Sequence, residues 1–248
     1  MTPTAAAGFL LHFAGGAVIL LVYRRWQVRR GFSTEGMRLV FLAALAGALL
    51  GAALLQYASE AEAWSFWRRS VKEHGLHLLL GGRTWLGALL GGYAGVELAK
   101  RALGIDRSTG DGFALALPLG EAVGRVGCFF AGCCYGQPTR VPWAVWQHGA
   151  WRHPTQLYSA AAALILFLAL RRLRDRLPRE GDLFKLYLFC YAGTRFALEF
   201  FRDHGPREPF LSPAQWLCLG AMVVLAACGL RGGQGSGFRV QTEPTRDS

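Results

Sequence analysis

Two pairs of charged residues stand inside apolar stretches, where charge is expensive: Glu121 with Arg125, and Arg195 with Glu199. The members of each pair are four residues apart, so on a helix they share one face. Ionisable groups within membrane spans are usually functional rather than decorative. Counted from the predicted helix starts at Phe113 and Leu183, Arg125 and Arg195 each lie 12 residues in. That is about 18 Å along a helix axis. If both helices run from inside to outside, the two guanidiniums reach one depth in the outer half of the bilayer. Such a pair is suited to clamping a phosphate headgroup. Glu121 and Glu199 then hold the arginines and offset part of the cost of burying them. The plainer reading is two salt bridges that only lock the bundle. Arg202 follows Arg195 on the same predicted helix, two turns further on.

The elements that must position these groups are long apolar runs. Hydrophobic residues make up 52% of the 248-residue chain and charged residues only 17%, against about 25% charged in soluble domains. The runs are continuous rather than alternating, which argues against an outer-membrane barrel. We therefore expect an all-α, polytopic membrane bundle of about seven transmembrane helices. The expected spans are 5–23, 37–56, 84–98, 113–131, 157–170, 183–201 and 214–230. The start of the chain lacks a basic leader and a clear cleavage site, so the first span is read as one that stays. Arginines and lysines gather after the first, third and fifth spans, which makes that side cytoplasmic, the N-terminus outside and the C-terminus cytoplasmic. Residues 1–231 are expected to form a single transmembrane domain, and the Gly-rich polar stretch 232–248 a disordered cytoplasmic tail. The net charge of +11 resides mostly at helix ends, so it points to anionic lipid and not to nucleic acid. Residues 57–83 read as an interfacial segment. Residues 137–156 carry Trp143, Trp146 and Trp151, read as an aromatic belt or as a platform for an acceptor peptide or lipid.

Three segments carry a family resemblance: GRVGCFFAGCCYGQPT from Gly124, RHPTQLY from Arg152, and YAGTRFALEFFR from Tyr191. With the glycine-rich stretch Gly81 to Gly87 and the segment Ser212 to Trp216, they resemble the bacterial prolipoprotein diacylglyceryl transferases. The resemblance implies a multi-pass enzyme of the bacterial cytoplasmic (inner) membrane. It implies transfer of a diacylglyceryl group from phosphatidylglycerol to the cysteine thiol of a secreted lipoprotein precursor. It also implies that Arg125 and Arg195 hold the lipid phosphate, that Glu199 and Arg202 complete the network, and that Tyr191 lines the site. Gly136 would mark the turn closing the signature, and His153 and Gln156 would support the outer loop. No metal or organic cofactor is implied.

The match has departures. Leu86 stands where the family usually has a His, and Cys128 where it usually has an Asn. Cys133 and Cys134 also replace polar residues of the signature. These thiols admit three readings: small packing residues, a nucleophilic or redox thiol near Arg125, or a metal site with His148 or His153. The remaining histidines are weaker candidates: His74 and His77 could stand in for the missing His, and His12 reads as a packed polar residue. The rivals to the transferase are a divergent phospholipid-dependent transferase with another acceptor or a cysteine-based mechanism, and a non-catalytic lipid binder. A transporter is disfavoured because no internal repeat is visible.

Overall fold

A computed structural model describes residues 3–31, 34–59, 85–105, 108–177, 179–203 and 211–231. Residues 57–59 apart, the 57–83 segment with His74 and His77 lies outside the described residues. So do Gly81, Gly82, the 232–248 tail and the side chain of Leu86.

The described residues are mostly helical, at 76%. Seven helices are described: α1 (Pro3–Arg29), α2 (Thr34–Ser59), α3 (Trp85–Leu103), α4 (Gly110–Ala131), α5 (Thr155–Leu173), α6 (Asp182–Glu199) and α7 (Pro213–Arg231). Each expected span falls on one of them. Four are long and apolar enough to cross a membrane: Ala6–Arg29, Glu35–Leu54, Gly110–Ala131 and Thr155–Leu173. α3 and α6 hold too many charges for that test, among them Glu97, Lys100, Arg195 and Glu199.

The burial pattern is that of a bundle solvated by lipid. Leu10, Val28, Ile165 and Val223 are all about two-thirds exposed, whereas the polar Thr155, Gln156, Glu199 and Gln215 are buried. Small residues let backbones meet, as they do where helices associate in lipid. Gly47 and Gly51 of α2 lie against Gly87, Gly91 and Gly95 of α3, and Gly8 and Gly15 of α1 against Gly127 and Gly120 of α4. α4 is central, touching α1, α5 and α6.

One contact sets the register of the two arginine-bearing helices. Asp111 at the start of α4 accepts hydrogen bonds from the backbone N–H groups of Gly181 (3.0 Å) and Phe184 (3.2 Å) at the start of α6. A carboxylate is favourable there, because the first N–H groups of a helix have no internal partners. Arg125 lies 14 residues beyond Asp111 (125 − 111), and Arg195 lies 14 beyond Gly181 (195 − 181). Equal rise from a shared anchor brings the arginines level. Asp111→Ala removes that anchor. It should cost about 1 kcal/mol, as the loss of a helix cap does, and thermal unfolding in detergent would show this as a lowered midpoint.

Two features differ from the sequence expectation. The segment between α4 and α5 contains a hairpin, β1 (Val145–Gln147) paired antiparallel with β2 (Ala150–Arg152). Its strands have three residues each, too short for an alternating pattern to register. Trp146 and Trp151 are cross-strand partners packed edge to face with centroids 5.6 Å apart. The second difference is Arg202, which does not lie on the helix. α6 ends at Glu199, and Arg202 forms an antiparallel bridge with Gly136. Phe201 and Arg202 N–H close a tighter last turn on Leu198 O and Glu199 O, while Phe201 O accepts from Gln137 N–H and Asp203 N–H donates to Tyr135 O of the signature loop.

Candidate functional site

α4, α5 and α6 line a small, partly open cleft. Arg125 and Glu121 from α4, Tyr191, Thr194 and Arg195 from α6, and Ser159 from α5 line it with apolar Leu166 and Leu198. The two arginines that the depth estimate set level do share one cavity.

Each guanidinium is backed by a carboxylate one turn away. Arg125 donates through Nε and Nη2 to Glu121 Oε1, both at 3.2 Å. Arg195 donates through Nη1 to Glu199 Oε2. The carboxylates are deeper than the cations: side-chain exposure is 8% for Glu121 against 14% for Arg125, and 4% for Glu199 against 20% for Arg195. Each arginine is thus held from behind and keeps N–H groups toward the cavity. A guanidinium has five donors in a planar fork, so one carboxylate leaves several free to meet an anion.

Glu199 has a second support. Ser212 Oγ donates to Glu199 Oε1 at 3.2 Å. Ser212 and Gln215 also form a reciprocal cap on α7: Gln215 N–H donates to Ser212 Oγ (3.3 Å), and Ser212 N–H donates to Gln215 Oε1 (2.9 Å). In sequence the stretch Ser212 to Trp216 resembles only the family's entrance to its last helix, with no part in the cleft. The Ser-x-x-Gln spacing before an apolar run is a recognisable capping box and could have pointed to them.

The other expected site residues form a separate scaffold beside the cleft. Gly136 lies in an extended bridge and not in a turn. Its N–H donates to His153 O at 3.1 Å, and its neighbour Gln137 donates to Phe201 O at 2.9 Å. The turn comes earlier, at Gly132 (φ +68°) and Cys134 (φ +58°). Gln156 donates to Cys133 O at 2.8 Å and to Gln147 Oε1 at 3.2 Å, and Thr155 Oγ1 donates to Cys134 O at 2.8 Å. His153 Nδ1 lies 3.2 Å from Tyr158 OH, which accepts from Trp143 Nε1 at 2.6 Å. These residues hold the signature loop over the ends of α4 and α6; they do not line the cavity.

Arg152 organises this scaffold; it heads the RHPTQLY motif, but the sequence assigned it no role. It pairs with Asp203 at 2.5 Å and donates to Gly136 O and Gln147 O, each at 3.1 Å. Its guanidinium also lies 4.7 Å from the centre of the Tyr135 ring, as in a cation–π contact.

The thiols are distributed unequally. Hydrogen bonds with Cys128 and Cys133 hold the Cys134 thiol below its ordinary range, and the charges of Arg202 and Arg125 act in the same direction against burial. His148 and His153 are engaged elsewhere, His148 Nε2 lying 2.7 Å from Gly132 O and its ring lying tilted, 4.2 Å from that of Tyr135.

Chemically, the cleft offers two fixed cations among apolar walls. Such a combination is suited to an anionic group and to charge developing on a departing phosphate.

Comparison with known proteins gives a consistent match. A family model described as prolipoprotein diacylglyceryl transferase covers residues 5–230. The phosphatidylglycerol–prolipoprotein diacylglyceryl transferase of Azoarcus sp. (strain BH72) is 30% identical over 244 residues, spanning 90% of this chain and 89% of the relative. The protein of that name from Clostridium tetani is 29% identical over 217 residues, 84% of each chain. That from Methylocella silvestris is 36% identical over 159 residues, 60% of this chain and 58% of the relative.

Proposed function

Because the chain belongs to the prolipoprotein diacylglyceryl transferase family, we propose that it moves a diacylglyceryl group from phosphatidylglycerol to a cysteine thiol of a secreted lipoprotein precursor. The observation that carries this reading is the placing of Arg125 and Arg195 on one cleft, each backed by a buried carboxylate. In the reaction the thiolate forms a C–S bond to the terminal glycerol carbon. The C–O bond to phosphate breaks, and glycerol phosphate leaves with the electron pair. Arg125 and Arg195 meet the phosphate oxygens as negative charge grows on them. Glu121 and Glu199 fix the arginines, Ser212 fixes Glu199, and Tyr191 closes the wall.

In this reading the seven helices all span the bacterial cytoplasmic membrane. The N-terminus is outside, and residues 232–248 form a cytoplasmic tail to a single membrane domain over 1–231. The hairpin and its exposed Trp143, Trp146 and Trp151 then lie at the outer face, where an acceptor peptide arrives. A second reading, a divergent transferase with a different acceptor, is favoured by one observation: three thiols cluster in the part of the signature where the family carries polar residues.

Donor selectivity tests the lipid half. The full chain in phosphatidylglycerol vesicles should release glycerol phosphate when a lipobox peptide is added, and in phosphatidylcholine vesicles it should release no headgroup. Equal release from both lipids would contradict recognition of the anionic donor. No release from either would leave a lipid-binding protein.

A further inference from the structure

Three thiols converge where α4 ends. The Sγ atoms of Cys128, Cys133 and Cys134 all lie within 4.8 Å of one another, and all three residues are free cysteines. The reversal of the backbone brings them together. Gly132 and Cys134 both take positive φ, and Cys133 N–H donates to Cys128 O at 3.1 Å. A cysteine at positive φ is uncommon. Here it is held from α5 by Thr155 on Cys134 O and by Gln156 on Cys133 O.

A fourth group arrives from α1. His12 Nε2 lies 3.4 Å from Cys128 Sγ, while its Nδ1 lies 2.7 Å from Gly8 O. The carbonyl requires a donor, so Nδ1 carries the proton and Nε2 presents its lone pair to Cys128 Sγ. A backbone carbonyl that fixes the tautomer in this way is the usual outer partner of a metal-bound histidine. Gly127 makes room for the ring, since a Cβ there would sit 2.8 Å from His12 Nδ1.

We infer that Cys128, Cys133, Cys134 and His12 form a site for one thiophilic metal ion of the Zn(II) class. In tetrahedral coordination, with bonds of about 2.3 Å to sulfur and 2.0 Å to nitrogen, neighbouring ligand atoms lie roughly 3.5–3.8 Å apart. The His12–Cys128 separation already matches, and the sulfurs need to close by no more than about 1 Å. A filled set of four protein ligands has no open position, so the ion is structural. It ties α1 to α4 and fixes the turn that leads into Gly136. A covalent relay through these thiols is disfavoured, because an alkylated cysteine is a thioether and gives up its carbon far less readily than a phosphate ester does. The inference is independent of the transfer reading, because binding is measured without lipid or peptide.

The test uses the full chain, purified in detergent under reducing conditions and titrated with Cd(II) and then with Zn(II). One Cd(II) per chain should bind with thiolate-to-metal absorbance, and Zn(II) should protect three of the six cysteines from maleimide. Cys133→Ser, at an exposed position, should abolish stoichiometric binding, and His12→Ala should weaken it at least tenfold. Both variants must elute as the wild type does on size exclusion. Should one of them not fold, the wild-type stoichiometry and protection decide alone. Substoichiometric binding by the folded wild type would overturn the proposal, as would unchanged binding in Cys133→Ser. So would isolation of two of these sulfurs as a disulfide with no metal bound.

Discussion

Arg125→Ala and Arg195→Ala are each expected to lower diacylglyceryl transfer by two to three orders of magnitude. That is the usual effect of deleting one preorganised partner of the charge that forms in a transition state, about 10²–10³ in rate. The loss should fall on turnover more than on lipid affinity, because the leaving phosphate gains charge as the C–O bond breaks. Each substitution also strands a carboxylate, Glu121 at 8% side-chain exposure or Glu199 at 4%. Arg125→Lys and Arg195→Lys separate the two effects: they keep the ion pair but lose the planar fork. They should fold like the wild type and still lose at least about tenfold in rate. Since both guanidiniums act on one phosphate, the double alanine variant should be little worse than either single one. Steady-state rates at saturating and limiting phosphatidylglycerol check all of this. Two fully additive losses would mean that the arginines do not share a ligand.

Gly136→Ala is expected to destabilise the loop over the cleft strongly. A Cβ at Gly136 would sit 2.5 Å from His153 O and 2.7 Å from Phe201 O, both backbone atoms. Neither neighbour can rotate away. The bridge to Arg202, the Gly136–His153 hydrogen bond and the Arg152 contact to Gly136 O must then all shift together. Overpacking of this kind costs roughly 1–3 kcal/mol, and the lost hydrogen bonds place this case at the upper end. For a chain of this size that should lower the melting midpoint by roughly 6–10 °C. An unchanged midpoint would mean that the loop over the cleft is not built as described.

Much of the helical frame was legible because lipid imposes long apolar runs, and each expected span falls on a helix. The level placing of Arg125 and Arg195 was legible too, since helical rise is constant. Its cause, the Asp111 contact to Gly181 and Phe184, was not. What the sequence concealed is long-range pairing. Arg152 meets Asp203 across 51 residues, and His12 meets Cys128 across 116. Nothing near these residues in sequence records such partners. Arg202 was placed one element too far in, because apolar Phe200 and Phe201 extend the helical pattern past the point where backbone pairing with Gly136 and Gln137 takes over. The hairpin was missed for the related reason that three-residue strands carry no readable period.

We expect this chain to join the diacylglyceryl group of phosphatidylglycerol to an acceptor thiol. The most direct test incubates the purified full-length protein with acyl-labelled phosphatidylglycerol and a peptide bearing a lipobox cysteine, and then determines the mass of the peptide. A gain of one diacylglyceryl group on the cysteine sulfur, absent with Arg195→Ala, is the predicted result, and it would show that Leu86 is compatible with catalysis. An unmodified peptide, recovered from wild-type protein that binds the labelled lipid, would contradict the claim.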